Sequence, residues 1–127
     1  MTDGGMMEYI IFTYGTLMKG EVRSHVLNSE EYLGDAVLEN HGLLELGTFP
    51  GIVKKEGYKV YGEVYKVSED KKAELDWIEG EGYLYKFEYA DVLLNGKTIK
   101  AGLYTFIDDG HEYPLMEPRG KWHGRLY

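Results

Sequence analysis

The chain has 127 residues, a net charge of −8 and no cysteine. Its length suits one domain around one hydrophobic core, so we expect a single domain over residues 1–127. The negative charge argues against general binding of nucleic acid, whose affinity comes mostly from phosphate neutralisation, and the missing thiols exclude disulfides, thiolate zinc sites and cysteine nucleophiles.

The first predicted elements are a strand and a short helix. The apolar run Glu8–Thr13 predicts a strand that enters the core at once. Val22 and Val26 stand four residues apart, which is the spacing of one helix face, and they predict a helix over Glu21–Leu27. A turn that contains a glycine joins the two elements.

Alternating apolar and polar residues predict further strands in the middle of the chain. The segment Leu33–Gly47 alternates in two pieces, and Asn40-His41-Gly42 between them predicts a tight turn. Pro50-Gly51 predicts a loop. Over Tyr58–Val67 both faces carry apolar side chains, which indicates a strand covered on two sides or curled into a barrel.

The clearest helix follows these strands. Ser68 is a suitable N-cap, and Glu69 and Asp70 occupy the first turn, where the helix dipole favours acidic side chains. We predict that the helix runs to about Glu79 and that Gly80 ends it.

The last predicted elements form a hairpin. Residues 83–94 and 97–106 are apolar runs joined by Asn95-Gly96, which is the strongest short signal for a tight hairpin turn. From Ile107 onward the chain is polar and irregular. The order of elements therefore predicts an α+β fold: a small, mixed, barrel-like sheet with two or more short helices.

The turn after the first strand, Tyr14-Gly15-Thr16-Leu17, is a candidate binding site for a small anion. A strand that ends at a glycine and leads into a helix exposes unpaired backbone N–H groups, which attract negative charge. Gly15 lets a ligand approach the backbone closely, and Thr16 adds a hydroxyl donor. A carboxylate suits so small a turn, whereas the nucleotide-binding patterns are absent. An ordinary strand–helix turn is the alternative interpretation.

Glu79 is the candidate acid–base residue. It shares a helix face with Leu75 and Ile78, which should face the core, so Glu79 points partly inward. Burial and the negative end of the helix dipole both raise a carboxyl pKa, and a raised pKa suits a general base that must also release its proton. A solvent-facing glutamate at a frayed helix end is the alternative, and Glu81, past the helix, is the local rival.

Three segments occur in a fixed order over roughly residues 8–106: YGTL, then TFPGIV followed by VYGEVYKV, then LDWIEGEGYLYKF. Together they resemble the γ-glutamylcyclotransferase-like family, the group that includes the AIG2-like and γ-glutamylamine cyclotransferase proteins. Each motif is short, but their combination in this order is specific and covers most of the chain.

The resemblance implies a fold and a set of site residues. It implies a small mixed barrel-like sheet with helices, and backbone amides of Tyr14–Leu17 that hold the α-carboxylate and carbonyl of the substrate. Glu79 corresponds to the acid–base residue, and Tyr85 corresponds to a tyrosine that lines the pocket. Many members carry an arginine where this chain has Phe87, so the pocket rim and the choice of substrate stay open.

The turn, Glu79 and the resemblance together lead to a hypothesis of function. The predicted substrate is a γ-glutamyl amino acid or γ-glutamyl amine, whose α-amine attacks its own γ-carbonyl to give 5-oxoproline and a free amine. Glu79 carries the proton from one nitrogen to the other. The reaction needs no metal, cofactor or enzyme nucleophile, and we predict none. The identity of the leaving amine stays open.

Three other functions are compatible with parts of the sequence. The main alternative is a non-catalytic protein that binds a γ-glutamyl or carboxylate ligand on the same fold, and release of product separates the two functions. The basic segment PRGKWHGR is the one stretch suited to nucleic acid, although we expect no nucleic-acid partner. A metal hydrolase is disfavoured, because the four histidines lack HExxH or close i, i+4 spacing.

The sequence also predicts a compartment. No apolar run approaches the roughly 18 residues that cross a membrane, and the start lacks the basic patch and apolar region of a signal peptide. With no cysteine, these features favour a cytoplasmic protein without a membrane partner. The glutamine-free composition, rich in lysine and glutamate, is typical of thermophile proteins. The oligomeric state stays open, with a homodimer among the arrangements considered.

Overall fold

The computed structural model describes residues 7–21, 23–47, 49–117 and 119–122. Within these ranges the chain forms six strands, one α-helix and one 3₁₀ helix. In chain order they are β1 (Glu8–Thr13), the 3₁₀ helix (Ser24–Leu27), β2 (Glu31–Glu45), β3 (Pro50–Ser68), α1 (Glu69–Glu79), β4 (Tyr85–Leu94), β5 (Lys97–Phe106) and β6 (Arg119–Gly120). Neither helix in these ranges is long and apolar enough to cross a bilayer.

Five of the strands close on themselves. The order around the sheet is β1-β5-β4-β2-β3, and β3 returns to pair antiparallel with β1 from Glu8↔Ser68 to Thr13↔Glu63. β1 lies parallel to β5, with Ile11 opposite Gly102, and β6 adds to the outer side of β3 in parallel. The mixed, barrel-like sheet of an α+β fold is thus confirmed.

The predicted turn at Asn40-His41-Gly42 is wrong, because β2 continues through it. β2 and β3 stay paired on both sides, with a register shift between Glu39 and His41. Asn40 adopts a left-handed φ of 59°, which asparagine tolerates, and its side chain accepts a hydrogen bond from the Gly57 amide at 3.1 Å. The polar interruption is therefore an irregularity in the β2–β3 pairing, where Asn40 alone stands opposite the four β3 residues 55–58.

The predicted loop at Pro50-Gly51 is also wrong. Pro50 opens β3 opposite Glu45, and Gly51 pairs with Leu44. A proline is tolerated as the first residue of a strand, where its missing N–H costs the ladder least. The predicted strand Tyr58–Val67 is the C-terminal part of β3.

The early helix forms only one short turn. The short helix predicted for Glu21–Leu27 is a 3₁₀ helix limited to Ser24–Leu27, and Val22 lies outside the described residues. Val26 and Leu27 are buried, and their side chains pack this short segment against the barrel.

The second helix and the hairpin follow the prediction closely. The Ser68 hydroxyl accepts a hydrogen bond from the Lys71 amide at 3.1 Å, and Gly80 ends α1 in the left-handed conformation with φ 63°. Asn95 and Gly96 both have positive φ, as a tight hairpin turn of this kind requires. β4 begins at Tyr85, two residues later than predicted.

Most of the chain after Ile107 is irregular, as predicted, with two exceptions. Leu115 makes a bridge with Leu44, and β6 pairs with β3. Trp122, in the basic segment of residues 118–125, is buried in the barrel core rather than lying in a solvated tail. Residues 118 and 123–125 of that segment lie outside the described ranges.

Two hydrophobic clusters hold the elements in place. The first fills the barrel, and its fully buried members include Phe12, Leu38, Leu43, Val60 and Leu103. The second cluster packs α1 and the 3₁₀ helix against one face of the sheet; it includes Ile11, Leu27, Leu75, Tyr85 and Tyr104. Burial of such side chains contributes roughly 1.5–3 kcal/mol each, and this second cluster fixes the end of α1 beside the end of β1.

Candidate active site

A cavity of about 120 Å³ lies where the end of β1, the start of β3 and the end of α1 meet. Its lining residues come from these elements, the hairpin and the segment before the 3₁₀ helix: Ile11, Phe12, Thr13, Tyr14, Gly15, Thr16, Leu17, Arg23, Phe49, Pro50, Ile78, Glu79, Leu84, Tyr85 and Tyr104. All six residues predicted for the site lie in this lining. The cavity is smaller than the roughly 300–1,000 Å³ usual for drug-sized ligands, which suits a small metabolite group.

The turn Tyr14–Leu17 presents free backbone donors beside this cavity. Its carbonyl groups are used, because the Gly15 carbonyl accepts from the Met18 amide at 3.1 Å and the Thr16 carbonyl accepts from the Arg23 amide at 2.8 Å. The N–H groups of Gly15, Thr16 and Leu17 donate to no acceptor in the described part of the chain. Consecutive unpaired N–H groups of this kind favour an anion or an oxyanion.

Gly15 is required by the packing of the turn against β3. A side-chain carbon at position 15 would lie 2.9 Å from Cγ of Pro50 and 3.1 Å from its Cδ, which is too close. The Pro50 carbonyl in turn accepts a hydrogen bond from the Tyr85 hydroxyl at 2.7 Å. The turn, the start of β3 and the start of β4 are therefore held together on one side of the cavity.

Tyr14 is a buried, neutral hydrogen-bond donor. Its hydroxyl donates to the Tyr104 carbonyl at 2.5 Å. Burial raises the pKa of Tyr14, and the neighbouring Tyr85 and Glu79 raise that pKa further. The phenol therefore keeps its proton at any physiological pH and anchors the turn to β5.

Glu79 ends α1 with its carboxyl group largely buried in the cavity wall. Leu75 is fully buried and Ile78 partly buried on the same helix face, as predicted. Burial raises the pKa of Glu79 from 4.5 to about 6, and the positive charge of Arg23 partly opposes this rise. The Glu79 carboxylate accepts no hydrogen bond from the residues that the structure describes, so its oxygens are available to a ligand.

Glu81 does not share this environment. It is exposed and lies outside the cavity lining, and one of its carboxylate oxygens accepts a hydrogen bond from the Phe87 amide at 3.3 Å. Of the two glutamates beside Gly80, only Glu79 lines the cavity.

The hairpin supplies two tyrosines to the cavity. Burial and the charge of Glu79 raise the pKa of Tyr85, whose hydroxyl is held by Pro50. Burial also raises the pKa of Tyr104, whose hydroxyl donates to Asp76 at 2.6 Å. Asp76 also accepts from the Lys72 ammonium at 2.7 Å, so a chain of polar contacts joins α1 to β5 behind Glu79.

Phe87 lies outside the cavity. Its ring packs against Tyr89 and Tyr104, with centroids 5.3 and 5.1 Å apart, and the Lys72 ammonium lies 4.0 Å above it. Phe87 therefore packs behind Tyr104 and does not line the cavity. Within the described lining the only cationic side chain is Arg23.

Arg23 and Tyr104 are two cavity residues with polar side chains that the sequence analysis did not identify. Arg23 lies in the segment predicted as a helix, and no local pattern indicates that it lines the same cavity as Glu79. Tyr104 could have been identified from the hairpin. The Asn95-Gly96 turn fixes the register of the two strands and places Tyr104 opposite Phe87, which lies two residues after Tyr85. In the described ranges, no group of three or more metal-binding side chains is close enough to hold a metal ion.

Comparison with known proteins agrees with the fold. Residues 11–124 match the family described as "Gamma-glutamyl cyclotransferase, AIG2-like". The Escherichia coli "Gamma-glutamylcyclotransferase family protein YtfP" is 35% identical over 115 residues, which cover 91% of this chain and 96% of that protein. A Vibrio cholerae relative is 40% identical over 122 residues, which cover 94% of this chain and 100% of its own length.

A solved structure shows the same architecture. The crystal structure of an aig2-like protein from mouse superposes with a TM-score of 0.70 at 26% identity, covering 77% of this chain and 76% of the mouse chain. The order of the motifs, the barrel and these relatives lead to one conclusion. The chain belongs to the AIG2-like γ-glutamyl cyclotransferase family.

Proposed function

We propose that the protein converts a γ-glutamyl amide, either a γ-glutamyl amino acid or a γ-glutamyl amine, into 5-oxoproline and a free amine. One observation carries the proposal. A largely buried carboxyl group with a pKa near 6, that of Glu79, shares a small cavity with a turn whose backbone N–H groups have no acceptor in the described chain. This pairing supplies an anion site and a proton carrier within reach of one small molecule.

The turn binds and orients the γ-glutamyl group. The free amides of Gly15, Thr16 and Leu17 hold the α-carboxylate, and one of them stabilises the negative oxygen that develops on the γ-carbonyl. The substrate is thereby bent so that its α-amine meets its own γ-carbon. Oriented intramolecular attack of this kind reaches effective molarities of roughly 10⁵ M or more.

Glu79 carries the proton. The α-amine nitrogen forms a bond to the γ-carbon while the Glu79 carboxylate takes a proton from that nitrogen. The bond between the γ-carbon and the leaving nitrogen then breaks, and Glu79 returns the proton to the leaving amine. Such a shuttle contributes about 10²- to 10⁴-fold, and a pKa near 6 suits a group that both accepts and donates a proton close to neutral pH.

The test is release of 5-oxoproline from a panel of γ-glutamyl amides by the wild-type protein and by Glu79→Gln. We expect product from the wild type and a loss of at least 100-fold in Glu79→Gln. Glu81→Gln is the matched control, because it removes a neighbouring exposed carboxylate and should leave turnover unchanged. Normal turnover by Glu79→Gln would overturn the assignment of the proton carrier.

The same panel separates catalysis from binding alone. A protein that only binds a γ-glutamyl or carboxylate ligand would show saturable binding of 5-oxoproline or glutamate in calorimetry and release no product from any substrate. That result would replace the proposed reaction with a binding function at the same turn.

A further inference from the structure

Arg23 is the feature of the cavity that the proposed reaction does not use. Its backbone amide donates to the Thr16 carbonyl at 2.8 Å, so its backbone is fixed to the binding turn. Its side chain is exposed and lines the cavity. Its guanidinium forms no ion pair with a carboxylate among the described residues, and so it is available to a ligand.

The position of Arg23 relative to the leaving group follows from Glu79. In the proposed reaction, which this step assumes, Glu79 donates its proton to the leaving nitrogen, so that nitrogen lies next to the Glu79 carboxyl. Arg23 lines the same cavity of about 120 Å³ as Glu79 and Tyr85, and its charge lowers the pKa of both groups. We therefore expect a group attached one carbon away from the leaving nitrogen to lie on the Arg23 side of this cavity.

The depth of the cavity supports this arrangement. The turn residues Gly15 and Leu17 are buried in its wall, and the proposed reaction places the γ-glutamyl group against them. Arg23 and Leu84, which is 42% exposed, lie where the cavity reaches the surface. A volume of about 120 Å³ leaves little room beyond the γ-glutamyl group, so the leaving amine extends into this mouth.

We infer that Arg23 binds the α-carboxylate of the leaving group and makes this protein select γ-glutamyl amino acids over γ-glutamyl amines. Arginine presents a planar fork of donors that matches a carboxylate. A substrate that lacks this carboxylate leaves the guanidinium without a partner, and a substrate with a cationic tail is repelled.

Two substrates differ only in the group at issue. Replacing the leaving alanine of γ-glutamyl-alanine by ethylamine removes the carboxylate and keeps the remaining atoms. We expect the wild type to prefer γ-glutamyl-alanine roughly tenfold in kcat/KM, the low end of the range for hydrogen bonds to charged groups, because Arg23 is exposed. The preference should shrink as salt rises, since salt screens exposed charges.

Variants at position 23 test the assignment directly. Arg23→Gln should lower kcat/KM for γ-glutamyl-alanine about tenfold and change γ-glutamyl-ethylamine less than about threefold. Arg23→Lys should keep part of the preference, because the charge remains and the fork is lost. Lys97→Gln, which removes an exposed cation outside the cavity lining, should leave both substrates unaffected.

Two results in the activity assay would overturn the inference. One is a wild type without preference, and the other is an equal loss on both substrates in Arg23→Gln, which would mean that Arg23 acts on the shared γ-glutamyl group. A binding measurement separates this inference from the reaction itself. It compares the affinities of γ-glutamyl-alanine and γ-glutamyl-ethylamine for the Glu79→Gln variant and for the double variant that also carries Arg23→Gln. A preference seen there without any turnover by the wild type would keep the role of Arg23 and refute the cyclisation, whereas equal affinities would refute the role of Arg23.

Discussion

Glu79 and Arg23 come from separate segments of the chain and line the same small cavity, where the charge of Arg23 opposes the effect of burial on the pKa of Glu79. Burial at the end of α1 favours the protonated form of Glu79, and Arg23, fixed to the turn after β1, favours the ionised form. The balance leaves the pKa of Glu79 at about 6, so the group can both accept and release a proton near neutral pH.

The first prediction concerns the pH dependence of activity. Glu79 must be ionised to accept the proton of the α-amine, so kcat/KM should fall as the pH drops through about 6. Arg23→Gln should move this acidic limb to higher pH, because Arg23 lowers the pKa of Glu79. The measurement is the pH–rate profile on γ-glutamyl-ethylamine for both proteins. An acidic limb near 4.5, or one that does not move in Arg23→Gln, would contradict the prediction.

The second prediction is that Glu79 lowers the stability of the folded protein at neutral pH. Because folding raises this pKa, the stability gained from the bound proton is present below about pH 4.5 and is lost as the pH rises through about 6. Glu79→Gln keeps a neutral side chain, so it should be more stable than the wild type above pH 7, by about 2 kcal/mol at most.

Urea unfolding at several pH values measures this effect. The two proteins should have nearly equal free energies of unfolding at pH 4, and the difference should grow between pH 4.5 and 7. Glu81→Gln, whose carboxylate is exposed, is the control and should show no such growth. A Glu79→Gln protein that is less stable than the wild type at pH 8 would show that the carboxylate is stabilised in the fold.

The third prediction concerns the contact between Gly15 and Pro50. Gly15→Ala should destabilise the protein by about 1–3 kcal/mol and displace the turn, because the new methyl group would lie 2.9 Å from Cγ of Pro50. Adding Pro50→Ala removes Cγ of Pro50 and should restore part of the lost free energy of unfolding. Thermal unfolding of both single variants and of the double variant gives the coupling. Strictly additive losses would argue against the clash.

The fourth prediction concerns the contacts behind Glu79. Tyr104→Phe removes the hydroxyl that donates to Asp76 and should cost about 1 kcal/mol in the free energy of unfolding. Asp76→Asn should be coupled to it, since both changes act on the same hydrogen bond. A double-mutant cycle by denaturant unfolding measures the coupling, and a value near zero would mean that the bond does not help to hold α1 on β5.

The sequence predicts the parts of the site whose signals are local. The glycine turn after an apolar strand is contiguous, and Glu79 takes its direction from Leu75 and Ile78, which lie on the same helix face. Arg23 has no such signal, because its relation to Glu79 arises only when the end of β1 packs beside the end of α1. A pattern along one segment cannot show which separate segment it will face.

The errors in the fold have a similar physical origin. Asn40 and Pro50 were assigned to a turn and a loop from the preferences of their residue types. In the structure, pairing between β2 and β3 on both sides of Asn40 keeps it within a strand, and Pro50 is the first residue of β3, where its missing N–H is tolerated. Long-range pairing between strands determines the backbone conformation at both positions. The residue types there only tolerate that conformation.

The closure of the barrel has a consequence for how the site is assembled. β1 pairs antiparallel with the C-terminal end of β3 and parallel with β5. Both strands that pair with β1 therefore come from much later in the chain. Contacts between residues so far apart in the chain form slowly, because the entropy of closing a long loop is lost before the contacts can stabilise the structure. During synthesis the turn therefore lacks its complete scaffold until both β3 and the hairpin have emerged, so we expect the ligand-binding site to form late in folding.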